Sequence, residues 1–136
     1  MEVLTLKEAQ AAVTSVLKAA SDDGGKPVSV AVVDRSGDLV CFACMDGATV
    51  RSRQFSMNKA FTAAYMERDS GDFGESLLNS KRTADWYGNP RITGIPGGVT
   101  VRKSDFTVGG IGVSGRPSAE DLKLAKLGLA ALPMHG

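Results

Sequence analysis

The chain has 136 residues, 43% of them hydrophobic, enough to bury one core without disulfides or metal and suited to a single domain over residues 1–136. Sixteen Lys plus Arg against fifteen Asp plus Glu leave a net charge of +1, which argues against nucleic acid or an acidic membrane surface and for a small molecule or another protein as partner. No apolar run approaches a membrane span, and the opening MEVLTLKEAQ carries acidic and helix-capping residues where a leader would carry a basic and then an apolar region, so a cytoplasmic protein with no membrane partner is expected.

Thr5 with Glu8 three residues on forms a capping box, and Leu6, Ala9, Val13, Val16, Leu17 and Ala20 recur at helical spacing, which predicts a first helix over roughly residues 6–22. PVSVAVVD (27–34) and LVCFACM (39–45) are β-rich runs joined by the turn residues DRSGD, the pattern of an antiparallel hairpin. Cys41 and Cys44 match the spacing C-x-x-C. A strand places positions three apart on opposite faces, however, and a redox pair needs its first thiolate at a helix N-terminus. Two reduced cysteines are expected, at least one of them buried. With His135 the only histidine and no second cysteine pair, no metal site is expected.

Residues 48–68 hold no helix breaker and place Val50, Met57, Ala60, Phe61, Ala64 and Tyr65 on a helical stripe, which predicts a central helix. Residues 69–90 read as a short helical piece around Phe73–Leu78 and then a polar loop with Trp86 and Tyr87, ending at Pro90. RITGI (91–95), GVTVR (98–102) and FTVGGIGVSG (106–115) read as strands, the last two separated by the turn residues KSD. Ser118 is expected to cap a last helix with Asp121 as its acid, and Pro133 to stop it. The order α-β-β-α-α-β-β-β-α, with hairpins in place of long crossovers, predicts an α+β layered domain built on one five-stranded antiparallel sheet. Leu122, Leu124, Ala125, Leu127, Leu129 and Leu132 point to more than one side of the last helix, more apolar surface than one sheet face covers. A homo-oligomer is therefore expected.

Four stretches in order, PVSVAVVDRSGDLVCFACMDGA (27–48), NKAFTAA (58–64), PGGVTVR (96–102) and VGGIGVSG (108–115), resemble the GlcG/HbpS family of haem-binding or haem-degrading-domain proteins. That family is similar in turn to the C-terminal domain of PduO-type corrinoid adenosyltransferases. The resemblance implies a profilin-like α+β fold with the antiparallel sheet flanked by helices, assembly as dimers or larger oligomers, and haem binding, an accessory role or small organic acid metabolism. This sequence departs from a histidine-ligated haem protein, because no histidine lies between Met1 and Met134. Haem would have to use Met, Tyr or Cys, or a surface contact.

Lys59 interrupts the small, apolar side of the central helix. It is either a lysine whose stem packs and whose ammonium reaches solvent, or a partly desolvated cation that binds a carboxylate or acts as a base. Lys59→Met would then nearly preserve the fold while weakening anion binding. Asp46 and Gly47 end the second strand and either turn the chain or place a carboxylate opposite Lys59. In TGIPGGVTVR, Pro96 locks one φ beside Gly97 and Gly98, which permit positive φ or close approach to the main chain. Such a loop turns a corner or forms a pocket wall, and Arg91 and Arg102 flank it with the geometry for carboxylate recognition. Asn58 completes the ligand-binding set, whereas Arg51 and Arg53 read as a solvated face. GGIGVSG lacks the G-x-x-x-x-G-K-[ST] pattern, so its glycines serve close packing rather than phosphate binding. Two functions follow: a domain binding a planar or anionic small molecule such as haem, another tetrapyrrole or an organic acid, and alternatively a cofactor-independent isomerase, lyase or hydrolase of a catabolic pathway acting on a small organic acid. In the second, Lys59 and Arg91 hold the carboxylate and Asp46 moves a proton.

Overall fold

A computed structural model describes residues 2–133; His135 lies outside them. Helix α1 (Leu6–Asp22) begins on the expected capping box. Thr5 Oγ1 accepts from the Glu8 amide at 3.1 Å, and the Glu8 carboxylate accepts the Thr5 amide at 2.8 Å. Strands β1 (Ser29–Asp34) and β2 (Leu39–Cys44) form the expected antiparallel hairpin, followed by helices α2 (Val50–Tyr65) and α3 (Ser70–Ser80), strands β3 (Gly98–Lys103) and β4 (Phe106–Ser114), and helix α4 (Ser118–Ala130). The sheet runs β2-β1-β4-β3, antiparallel throughout. No helix among the described residues is long and apolar enough to cross a membrane.

The sheet therefore has four strands, not five. Residues 91–95 do not pair, because side chains of the neighbouring helices take their backbone groups. Thr62 Oγ1 donates to the Arg91 carbonyl at 3.3 Å and accepts from the Thr93 amide at 2.9 Å, and Ser70 Oγ donates to the Ile95 carbonyl at 2.7 Å. With those groups satisfied by hydroxyls, a fifth strand has no ladder to join. Ile92 of this segment is buried with Phe61, Phe73 and Leu77, and Tyr87 meets the edge of Phe73 at 5.3 Å, while Trp86 stays exposed.

Strand alternation divides the sheet into two faces. Val30, Val32, Val99, Val101, Val108, Ile111 and Val113 meet α1 and α4, together with Leu124 and Ala125. Ala31 and Val33 meet Ala60 and Ala64 of α2. On this second face β4 carries Gly110 and Gly112. A Cβ on Gly112 would sit 2.5 Å from the Ala60 amide nitrogen, so the glycines let α2 lie against the strand backbone. Close packing at GGIGVSG, expected between strands or subunits, is here the approach of a helix to the strand.

Three further expectations are corrected. Ser118 is the first residue of α4 rather than its cap; Pro117 holds the cap position, with no capping side chain, and Asp121 turns inward. Cys41 and Cys44 are free, but both are half-buried, because β2 is a sheet edge. The apolar residues of α4 are largely absorbed within the chain, with Leu127 left 48% exposed.

Candidate functional site

Lys59 lies in the second half of α2, yet its ammonium ends among residues of β4 and α4. It donates to the Val113 carbonyl at 2.9 Å and to Asp121 Oδ2 at 3.1 Å, and the residue is 2% exposed. The passage is made by the glycine loop. Gly97 holds φ +128°, and a Cβ there would lie 2.9 Å from both Lys59 Cδ and Nζ, while a Cβ on Gly98 would collide with the Lys59 carbonyl. Gly97 supplies the positive φ and Gly98 the close approach. The loop both turns into β3 and holds the lysine.

Asp121 receives Lys59 on one oxygen and the Arg116 amide on the other, at 3.0 Å. The Arg116 guanidinium faces away from it and binds both carboxylate oxygens of Asp23, at 2.7 and 2.9 Å, along with the carbonyls of Lys26 and Ala20. This clamp ties the β4–α4 connection to the end of α1, and the amide of the same Arg116 holds Asp121 on the first turn of α4. Burial pushes the Lys59 amine below the ordinary lysine value, with the Asp121 charge opposing, and pushes the Asp121 carboxyl above the ordinary carboxylate value, with the Lys59 charge opposing.

Above the ion pair opens a cleft of about 250 Å³, lined by Thr49, Arg51, Phe55 and Lys59 of the α2 side, Ile95 of the glycine loop, and Ser114, Gly115, Arg116, Ser118 and Asp121 of the β4–α4 side. A smaller cleft of about 180 Å³ adjoins it across Phe55, Lys59 and Ile95 and contains Asn58, Pro90, Ile92 and Thr93. An ammonium carries three donors and Lys59 uses two among the described residues, so one N–H remains for a molecule in the cleft.

The structure brings only part of the expected set together. Lys59 lies on the cleft floor, Gly97 and Gly98 stand behind its stem, and Asn58 lines the adjoining cleft, held by Gln54 at 2.7 Å. Asp46 is exposed at the end of β2 and lines neither cleft; the carboxylate facing Lys59 is Asp121. Arg91 stacks its guanidinium over the Phe61 ring at 3.9 Å and lines a separate cleft with Gly37 and Leu39. Arg102 is exposed beyond the end of α2 and donates to the Glu67 carbonyl. Sequence reasoning missed Asp121, whose spacing from Ser118 imitates a capping acid, and Arg51, whose exposed position on the first turn of α2 nevertheless borders the cleft. Among the described residues no group of three or more His, Cys, Asp or Glu is placed to hold a metal ion.

The chain resembles known proteins over nearly its whole length. It is 36% identical over 87 residues to protein GlcG of Escherichia coli strain K12, an alignment spanning 64% of this chain and 63% of GlcG, slightly under two thirds of that relative. A double mutant of HbpS from Streptomyces reticuli matches at 34% identity with a TM-score of 0.87, covering 97% of this chain and 88% of that one. PduOC, solved as a haem complex, shares the fold at 20% identity, with a TM-score of 0.87 over 99% of this chain and 100% of that one. The family profile described as "Haem degrading protein HbpS-like" matches residues 4–130, and the chain belongs to that family.

Proposed function

We propose that this chain binds a small carboxylate-bearing molecule in the cleft above Lys59. The carrying observation is a buried ammonium on the floor of a surface-open cleft, with one N–H uncommitted. Asp121 neutralises Lys59, the Arg116 guanidinium is occupied by Asp23, and exposed Arg51 adds positive charge at the border. The serine hydroxyls of Ser114 and Ser118 and the uncapped first turn of α4 add further donors. An anion complements this lining.

The family description names haem, and a haem-complexed neighbour shares the fold. The cleft above Lys59 does not fit an enclosed, axially ligated haem. Its lining holds no histidine, methionine, tyrosine or cysteine, and a 250 Å³ cleft takes a small acid while a tetrapyrrole overhangs it. A carboxylate arm of a larger planar molecule is the only part of it that this cleft encloses.

Calorimetry with acetate, pyruvate, lactate and succinate, beside their uncharged amides, tests the reading. At least one carboxylate is expected to bind well above its amide, and Arg51→Gln to weaken it several-fold with the melting temperature unchanged. Equal affinity for acids and amides, or no binding by any acid, overturns it. The enzymatic alternative is favoured by the lowered proton affinity of the Lys59 amine beside a carboxyl of raised proton affinity, a pair suited to moving a proton. A homo-oligomer remains part of the proposal: β2 offers an unpaired edge with Leu39 51% exposed. A single monomeric species in sedimentation at micromolar concentration counts against it.

A further inference from the structure

We propose that Lys59 is a nucleophilic amine that forms an imine with a small 2-oxo carboxylic acid held in the cleft between α2 and α4. This deepens the carboxylate-binding reading and rests on it. Of the eight lysines in the chain, Lys59 alone is buried. Lys103 is half-buried in an ion pair with Glu8, and the other six are exposed. Exposed lysines stay hydrated and protonated near neutral pH and are poor nucleophiles, whereas a desolvated amine gives up its proton more readily. Lys59 also reaches a cleft with its nitrogen already positioned. Val113 O and Asp121 Oδ2 take two of its three donor positions, the Gly97–Gly98 backbone packs closely against the residue, and Lys59 is one of the residues lining the cleft.

The chemistry balances with groups present. Asp121 Oδ2, 3.1 Å from Nζ, accepts one proton from the ammonium. The nitrogen lone pair then forms a bond to the ketone carbon, the carbonyl π electrons move to oxygen, and proton transfers from nitrogen to oxygen give a carbinolamine. Asp121 returns its proton to the hydroxyl, which leaves as water while the C=N bond forms, so that Asp121 is again a carboxylate beside a protonated imine. One ammonium and one ketone become one protonated imine and one water, and no oxidant or reductant is required. The ligand class follows from two demands on one small volume: a carbonyl at Nζ, and a carboxylate directly beside it for the Ser118 hydroxyl and the first turn of α4. A 2-oxo acid has both within three carbon atoms.

Incubating the intact protein with pyruvate and sodium cyanoborohydride, followed by digestion and peptide mass mapping, reads the imine as a reduced adduct. The expected result is one adduct per chain, at Lys59, formed at least about tenfold faster than at any other lysine, in keeping with its desolvation. Lactate, which lacks the carbonyl, is expected to compete. Labelling spread over exposed lysines, or none at all, overturns the proposal, and because the site is read by mapping the unaltered chain no variant has to fold. Lactate binding by calorimetry separates the two readings. If lactate binds and pyruvate is never trapped, the amine chemistry fails while the carboxylate cleft stands; if none of acetate, pyruvate, lactate and succinate binds, both fail.

Discussion

The two faces of the sheet are built on opposite principles. Toward α1 and α4 the strands present valine and isoleucine, and the layers are held apart by branched side chains that exclude water. Toward α2 they present Ala31, Thr100, Gly110 and Gly112, and the helix backbone comes against the strand itself. On that thin face polar groups are buried but paired: Thr100 Oγ1 donates to the Ala63 carbonyl at 2.8 Å, and the hydroxyls of Ser29 and Ser52 meet at 2.8 Å. No buried side-chain nitrogen or oxygen among the described residues lacks a partner. A thick layer tolerates small losses of volume, whereas a thin one tolerates no addition. The thin layer also explains the site, because only a helix lying this close can send a lysine past the end of the sheet to reach α4.

The largest effect that would break this contrast lies at the bridge between the faces. Asp121→Leu leaves the Lys59 ammonium buried without its carboxylate and is expected to remove about 3–5 kcal/mol of stability in urea unfolding, with most of it regained in Lys59→Met/Asp121→Leu. A double variant as unstable as the single one would show that the carboxylate serves only the Arg116 amide. Lys59→Met alone is also expected to destabilise measurably, contrary to the near-neutral outcome anticipated from the sequence, because it strands Asp121.

Next comes a direct comparison of the faces at adjacent residues. Ile111→Val removes one methylene from the thick layer and is expected to cost about 0.5–1.5 kcal/mol. Gly112→Ala adds one carbon to the thin layer and is expected to cost more, roughly 2–3 kcal/mol, because the obstructing atoms are backbone atoms of α2 that cannot rotate aside. Equal losses would mean that α2 shifts freely on the sheet.

The smallest effect concerns pH. The Arg116 hydrogen bonds, followed by the Gly25 amide, hold the Asp23 carboxyl down at about 2, below its ordinary 3.8. A carboxyl lowered on folding contributes stability that is complete above the unfolded value and lost as pH falls through the folded one. Stability should therefore decline between about pH 3.8 and 2, and Asp23→Asn should flatten that part of the acid-unfolding curve. An unchanged curve would detach the Asp23–Arg116 clamp from the stability of the fold.

Several elements were legible because their cause is local. The capping box at Thr5 and Glu8 and the apolar stripe after it mark α1 to the residue, and the β-branched runs around DRSGD mark the first hairpin. The α+β class and the family follow from such segments in order. Residues 91–95 have the composition of a strand, yet Thr62 and Ser70, 29 and 25 residues away from their carbonyl partners, satisfy that backbone instead. Asp121 has the spacing of a capping acid, yet its partner is Lys59, 62 residues away. Arg91 and Arg102 flank the glycine loop in sequence, but turn to Phe61 and Glu67.

By itself the sequence determined where α1 and the two hairpins begin, that a buried-or-snorkelling choice faced Lys59, and that Gly97 and Gly98 either turn a corner or let something pass close to the chain. Only the tertiary structure decided that Lys59 itself is what passes, that Asp121 and not Asp46 meets it, and that the arginines beside the loop face elsewhere. Capping and periodicity act over three or four residues and leave a local signature, whereas the partner of a buried charge is selected by which chain segments the sheet brings within hydrogen-bond reach.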